Sequence, residues 1–175
     1  MKQKIKKYLF SRKLIYLLYG YVLLKNYSFK KIDTIQVDMG WGLAICSSEI
    51  VVPIDNIYAN IKKEAGLELR ELKNTPHYEY LDKSILKKNI DYEEYIKDYF
   101  PELNIVNKIK DFSNLEKQVK KNPENFFIIV KKDLYSFKYK KVKIIDGLHR
   151  ASILKKIGYD SIKCLIADEI ELNKP

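Results

Sequence analysis

The chain is predicted to fold as an α+β domain, and three stretches carry that expectation. Val142, Ile144 and Ile145 read as the end of a buried strand, Asp146-Gly147 as a tight turn, and the ten residues from Leu148 to Ile157 as a helix stopped by Gly158. Phe126-Phe127-Ile128-Ile129-Val130 is an unbroken apolar run of strand length, as expected of a strand covered on both faces. Thr34-Ile35-Gln36-Val37 alternates, Met39-Gly40-Trp41-Gly42 breaks the pattern, and Glu49-Ile50-Val51-Val52-Pro53-Ile54 resumes it. The 175 residues suffice for one domain with a full core and some decoration.

From the N-terminus, the first apolar segment lies within residues 8–24. Its longest uncharged piece, between Lys13 and Lys25, has eleven residues, against the roughly 20 that a membrane-spanning helix needs. Lys25-Asn26-Tyr27 offers no small-residue cleavage site, so the segment is expected to stay in the mature protein. It reads as a basic, amphipathic helix that packs against this or another protein, or rests on an anionic membrane surface. Pro53 marks a strand end or an edge, and Asp55-Asn56-Ile57 turns the chain into a stretch at 61–72 that reads as helical and carries Arg70. Asn74 to Leu81 reads as a polar and aromatic turn. Tyr92, Tyr95, Ile96 and Tyr99 then recur at helical spacing, a stripe suited to a core or to the wall of a substrate pocket. Ser113-Asn114-Leu115-Glu116 fits a capping box opening a helix that Asn122-Pro123 ends. Residues 131–141 read as a hairpin-like return, and Ser161 to Ala167 as the last strand.

The formal net charge is +10, which invites a nucleic-acid reading, but the lysines are scattered in doublets along the whole chain and build no basic block. Tight nucleic-acid binding is therefore not expected. Arginine is used at only three of 33 basic positions, Arg12, Arg70 and Arg150, which directs attention to the guanidinium geometry there. Two cysteines, Cys46 and Cys164, form no zinc-like spacing, and with His77 and His149 as the only histidines no His-based metal site is expected. A reduced, cytoplasmic setting follows, with a peripheral position on the inner membrane face left open by residues 8–24.

Chemistry is expected at Asp146-Gly147-Leu148-His149-Arg150-Ala151-Ser152. The first turn of a helix carries backbone N–H groups without partners in the helix, and its dipole favours an anion there. Arg150 falls inside the arc shared by Ala151, Ile153, Leu154 and Ile157, so its charge cannot simply point to water. A guanidinium held against a core needs a carboxylate or a phosphate. An internal salt bridge with Asp146 would satisfy it, and Asp146 could instead be a helix N-cap. The convergence of Asp, Gly, His and Arg on one helix terminus favours an anion site.

The order helix, buried strand, hairpin, strand, Asp-Gly-Leu-His-Arg-Ala, helix, Gly, strand resembles the ParB and sulfiredoxin superfamily, most clearly from Phe112 to Ala167. Val51-Val52-Pro53-Ile54-Asp55-Asn56-Ile57 is similar to the strand that opens those domains. The resemblance implies a small mixed sheet with flanking helices over 46–167, a helical insertion at about 62–110, an N-terminal extension at 1–45 and a short tail at 168–175. Sulfiredoxins carry Cys where this chain has Leu148, and chromosome-partition ParB proteins carry Arg where it has His149. Asp146, Gly147, His149 and Arg150 instead match the Asp-Gly-x-His-Arg branch that includes free-serine kinases. That branch implies a nucleotide-dependent phosphotransferase acting on a small hydroxyl-bearing compound, with ATP or ADP and Mg²⁺. Gly147, Leu148, His149, Arg150, Ala151 and Ser152 would hold the nucleotide, and His149, Asp146 and Asp55 would be catalytic, Glu64 being the other candidate for the base. A domain of the same type that binds a nucleotide or nucleic acid without turnover is the alternative.

Overall fold

The computed structural model describes residues 29–82, 91–131 and 141–172. The N-terminal segment at 8–24 and most of the expected hairpin at 131–141 lie outside these residues. Seven strands form one mixed sheet: β1 (Phe29–Asp38), β2 (Gly42–Pro53), β3 (Ile57–Lys63), β4 (Gly66–Glu71), β5 (Ile128–Lys131), β6 (Val142–Asp146) and β7 (Ser161–Leu172). Their order across the sheet is β1-β2-β7-β5-β6-β3-β4. Strands β5 and β7, and β3 and β6, pair in parallel, and the other neighbours are antiparallel. Among the described residues four α-helices accompany them: α1 (Pro76–Leu81), α2 (Tyr92–Tyr99), α3 (Ile105–Lys121) and α4 (Leu148–Lys156).

The helices gather on one face. Tyr92, Tyr95 and Ile96 of α2, Phe112 and Val119 of α3, and Ala151, Ile153 and Leu154 of α4 share one core with Val52, Ile57, Ile61, Ile128, Val130, Ile144 and Ile162 of the sheet. A smaller apolar cluster, Ala44, Cys46, Ile129, Leu165 and Ala167, lies on the other face. Alternation along β5 explains the division, because Ile128 and Val130 project to one side and Ile129 to the other. Cys46 and Cys164 are free and buried, one in each cluster, and burial pushes both thiols up from their ordinary pKa.

Several expectations are corrected. The stretch at 61–72 is not helical: β3 and β4 pair antiparallel from Tyr58–Glu71 to Lys63–Gly66. Its apolar residues suit a strand as well as a helix, and Gly66, at φ +118°, takes a backbone conformation that breaks a helix. The insertion expected to be helical therefore contributes an edge strand before its helices. The expected turn at 74–81 contains helix α1, with Thr75 as N-cap accepting from the backbone N–H of Tyr78 and Pro76 in the first turn. Helix α3 begins well before the Ser113 capping box, at Asn104, whose side chain accepts from the N–H of Asn107. Strand β2 runs across the expected boundary at 45/46, and β7 continues to Leu172 through the region expected as a tail. The two strands support each other, since Gly42 lies opposite Leu172 and Pro53 opposite Ser161.

Candidate functional site

Strand β6 delivers Asp146 at its end, and Gly147, at φ +93° and ψ 23°, turns the chain into α4. That left-handed conformation is strained for residues with a Cβ. The space is closed as well, because a Cβ on Gly147 would lie 3.0 Å from Arg150 Nε and 3.0 Å from a methyl of Ile128. At its other end α4 stops on a complete Schellman arrangement, Gly158 N–H to Lys155 C=O at 3.1 Å and Tyr159 N–H to Leu154 C=O at 3.1 Å. The expected strand, turn, helix and glycine stop are all present.

No side chain caps the start of α4, and Gly147 itself occupies the N-cap position. Asp146 is therefore not the cap. Its carboxylate accepts a hydrogen bond from Nη2 of Arg150, an ion pair whose side chains are 22% and 26% exposed for Arg and Asp. The guanidinium also lies 5.7 Å from the ring centre of Phe127. Arg150 thus folds back across its own turn, half-buried, and its charge is matched by a carboxylate within the chain.

His149 takes the opposite course. Its Nε2 is 2.8 Å from the Tyr92 hydroxyl, a hydrogen bond whose direction follows the ring tautomer. The ring stands edge-to-face with Phe112 at 4.5 Å and with His77 at 4.6 Å. Burial among these rings, reinforced by the positive charges of Lys108 and Arg150, lowers the His149 pKa to about 4. His77 is lowered well below its ordinary value by the same two kinds of cause, burial first and then His149. Its Nδ1 is buried without a hydrogen-bond partner among the described residues. Both rings are neutral at physiological pH. Burial also raises the pKa of Tyr92, so its hydroxyl remains protonated beside them.

His77, His149 and Tyr92 border a cavity of about 570 Å³. Asp146, Gly147, Leu148, His149 and Arg150 form one part of its wall, Tyr92, Tyr95, Ile96 and Phe100 another, and Lys108 and Trp41 also border it. Lys108 makes no ion pair or hydrogen bond through its side chain among the described residues, which leaves a positive charge near His149. Tyr92 and Tyr95 of the α2 tyrosine stripe are core residues and also border the cavity.

Other expected site residues stand elsewhere. Ala151 and Ser152 are fully buried and do not border the cavity, and Ser152 Oγ has no partner among the described residues. Asp55 sits in a single 3₁₀ turn after β2, its side chain 81% exposed and its carboxylate 2.7 Å from Lys155 Nζ near the far end of α4. The pairing with Lys155 holds its carboxyl below the usual range. Glu64 lies in the exposed turn between β3 and β4. Neither acid borders the cavity. Among the described residues no group of three or more His, Cys, Asp or Glu side chains is placed to hold a metal ion.

His77, Phe112, Lys108 and Trp41 are the site residues that sequence reasoning did not assign. Nothing in their local spacing marks them, because they converge only through the packing of α1 and α3 against α4 and the turn between β1 and β2. The one available signal was scarcity, since the chain has two histidines and one tryptophan and all three border this cavity. No family model matches the chain, and comparison with curated proteins and with solved structures finds no significant match. No helix among the described residues is long and apolar enough to cross a membrane.

Proposed function

We propose that the cavity at the start of α4 binds a nucleotide through its phosphates and that the protein transfers a phosphoryl group to a small hydroxyl-bearing compound. The observation that carries this reading is the uncapped N-terminus of α4 opening beside Arg150 and Lys108 on a cavity of about 570 Å³. Such a volume suits a small-molecule ligand, and the N–H groups, dipole and two cations favour an anionic one. The resemblance of Asp146-Gly147-Leu148-His149-Arg150 to the Asp-Gly-x-His-Arg branch of the ParB and sulfiredoxin superfamily points the same way.

In this reading phosphate oxygens compete with Asp146 for the Arg150 guanidinium, whose fork can grip either one bidentately. Release of Asp146 frees the carboxylate in the cavity wall to accept the proton of the attacking hydroxyl. His149, neutral and fixed by Tyr92, offers a ring nitrogen for hydrogen bonding at low cost in reorganisation. Where Mg²⁺ is bound, Asp146 would hold it instead of taking the proton, and the ion would supply neutralisation of phosphate charge. A cytoplasmic setting, where nucleotides are abundant, belongs to the same proposal.

One observation favours the alternative of binding without turnover: among the described residues Asp146 is the only carboxylate in the cavity wall, and it is already held by Arg150. A thermal-shift series with ATP, ADP and CTP, with and without magnesium, tests the shared premise, since a ligand of the folded state raises stability with the logarithm of its concentration. Phosphorus NMR of the same mixtures with small alcohols, amino acids and sugars then separates the readings. Transfer to an acceptor supports the enzyme, a shift without transfer supports the binding module, and no shift at millimolar nucleotide contradicts both.

A further inference from the structure

Trp41 is the single tryptophan of the chain, and it is 45% exposed at the border of the proposed nucleotide cavity. The indole thus has a face open to a ligand in the cavity, and the turn that carries it is firmly built. Met39 N–H donates to Gly42 C=O at 2.9 Å, and Gly40 N–H donates to the Asp38 carboxylate at 2.7 Å. Gly40 has φ +82°, and a Cβ at Gly42 would meet the Glu171 carbonyl oxygen at 2.7 Å. Glycine on both sides thus lets the chain turn tightly and lie close against β7, with the indole presented between them.

The cavity therefore has two kinds of wall. Lys108, the Arg150–Asp146 pair and the start of α4 make one part charged and rich in hydrogen-bond donors. Trp41, Phe100, Leu103 and Ile145 make other parts aromatic and apolar. A ligand matching both carries an anionic group and a flat aromatic ring. Inorganic phosphate has no flat ring to set against the indole, whereas a nucleotide carries one in its base.

We infer that Trp41 is the stacking platform for the base of the nucleotide, an assignment that rests on the phosphate-binding reading above. Stacking accepts every base through its π-face, so this contact selects a nucleotide over a simple phosphate without choosing the base.

The single tryptophan makes the test direct. ATP and inorganic tripolyphosphate are titrated into the whole chain, with binding measured by calorimetry and Trp41 emission recorded in parallel. Both compounds are expected to release or absorb heat, and only ATP is expected to change the emission. Trp41→Ala should weaken ATP by on the order of tenfold, in line with base stacking on an aromatic side chain, and leave tripolyphosphate affinity unchanged. Trp41→Phe, which keeps a ring, should recover most of the loss and guards against a folding defect in the alanine variant. ATP binding with unchanged emission and unchanged affinity in Trp41→Ala would overturn the stacking assignment and leave the phosphate site standing. Absence of heat with either compound would overturn the phosphate site, and the stacking assignment with it.

Discussion

His149 and Arg150 are neighbours in the chain and border the same cavity, but their partners differ. His149 is walled by Phe112 and His77 and tied to Tyr92, whereas Arg150 lies back over Gly147 against the carboxylate of Asp146. The difference comes from helix geometry, because successive residues point about 100° apart and only one can face the layer built by α1, α2 and α3. Its consequence is a division of labour. The histidine is neutral and fixed by packing, while the arginine is held by its ion pair with Asp146.

The sharpest way to break this contrast is to open the wall around His149. Phe112→Ala removes a buried ring that contacts His149, Tyr92 and Tyr80. The expected cost is about 3–5 kcal/mol by chemical denaturation, as for other buried Phe→Ala changes. Water admitted to the site should also bring the His149 pKa back toward its ordinary value.

Acidification attacks the same side more gently. Both histidine pKa values are lowered in the folded protein, so below pH ~6.5 the unfolded chain binds protons that the folded chain refuses. Stability is therefore full above pH ~6.5 and falls as the pH drops toward about 4, by at most about 1.4 kcal/mol per pH unit for each ring. Because the chain has two histidines, imidazole NMR gives a clean check. His149 is expected to titrate near pH 4 and His77 well below its ordinary value, and a midpoint near 6.5 for either would show that it is not enclosed.

A smaller effect is expected from Tyr92→Phe, which keeps the ring and deletes the hydroxyl 2.8 Å from His149 Nε2. Loss of one net hydrogen bond predicts about 0.5–1.5 kcal/mol. The enclosed ring should remain neutral, since burial among the aromatic side chains is the largest cause of its lowered pKa. The smallest effect is expected at the other end of α4, where Asp55→Asn removes the exposed pair with Lys155. Exposed ion pairs contribute little, so the change should stay within about 0.5 kcal/mol and leave nucleotide affinity intact. A large loss of binding in this variant would return Asp55 to the site.

How much of this was legible in the sequence differs along the chain. The turn from β6 into α4 was readable because Asp146-Gly147 and Gly158 are local signals with local causes, and both glycines do adopt positive φ. The apolar run at 126–130 also declared itself, with Ile128, Ile129 and Val130 in the core. The β3–β4 hairpin was misread, since its apolar residues fit either period and the turn at Glu64-Ala65-Gly66 carries no Asn-Gly or Pro signal. Helix α3 was entered too late because Ser113-x-x-Glu116 is a capping pattern that here lies inside a helix already capped by Asn104. The pairing of Arg150 with Asp146 was one of two foreseen arrangements. The meeting of His77 with His149 was not foreseeable, because it depends on how helices 72 residues apart along the chain pack together.

The central claim, that Arg150 exchanges Asp146 for a phosphate, is tested most directly by Arg150→Lys, with melting temperature and nucleotide affinity measured on the same sample. Lysine keeps the charge but loses the planar fork, and a charge-assisted hydrogen bond contributes roughly 1.5–3 kcal/mol. The account predicts about a tenfold to hundredfold weaker nucleotide binding, with a melting temperature close to that of the parent because the ion pair is partly exposed. A clearly lowered melting temperature with unchanged nucleotide affinity would mean that the pair with Asp146 is the whole role of Arg150, and would contradict the phosphate site.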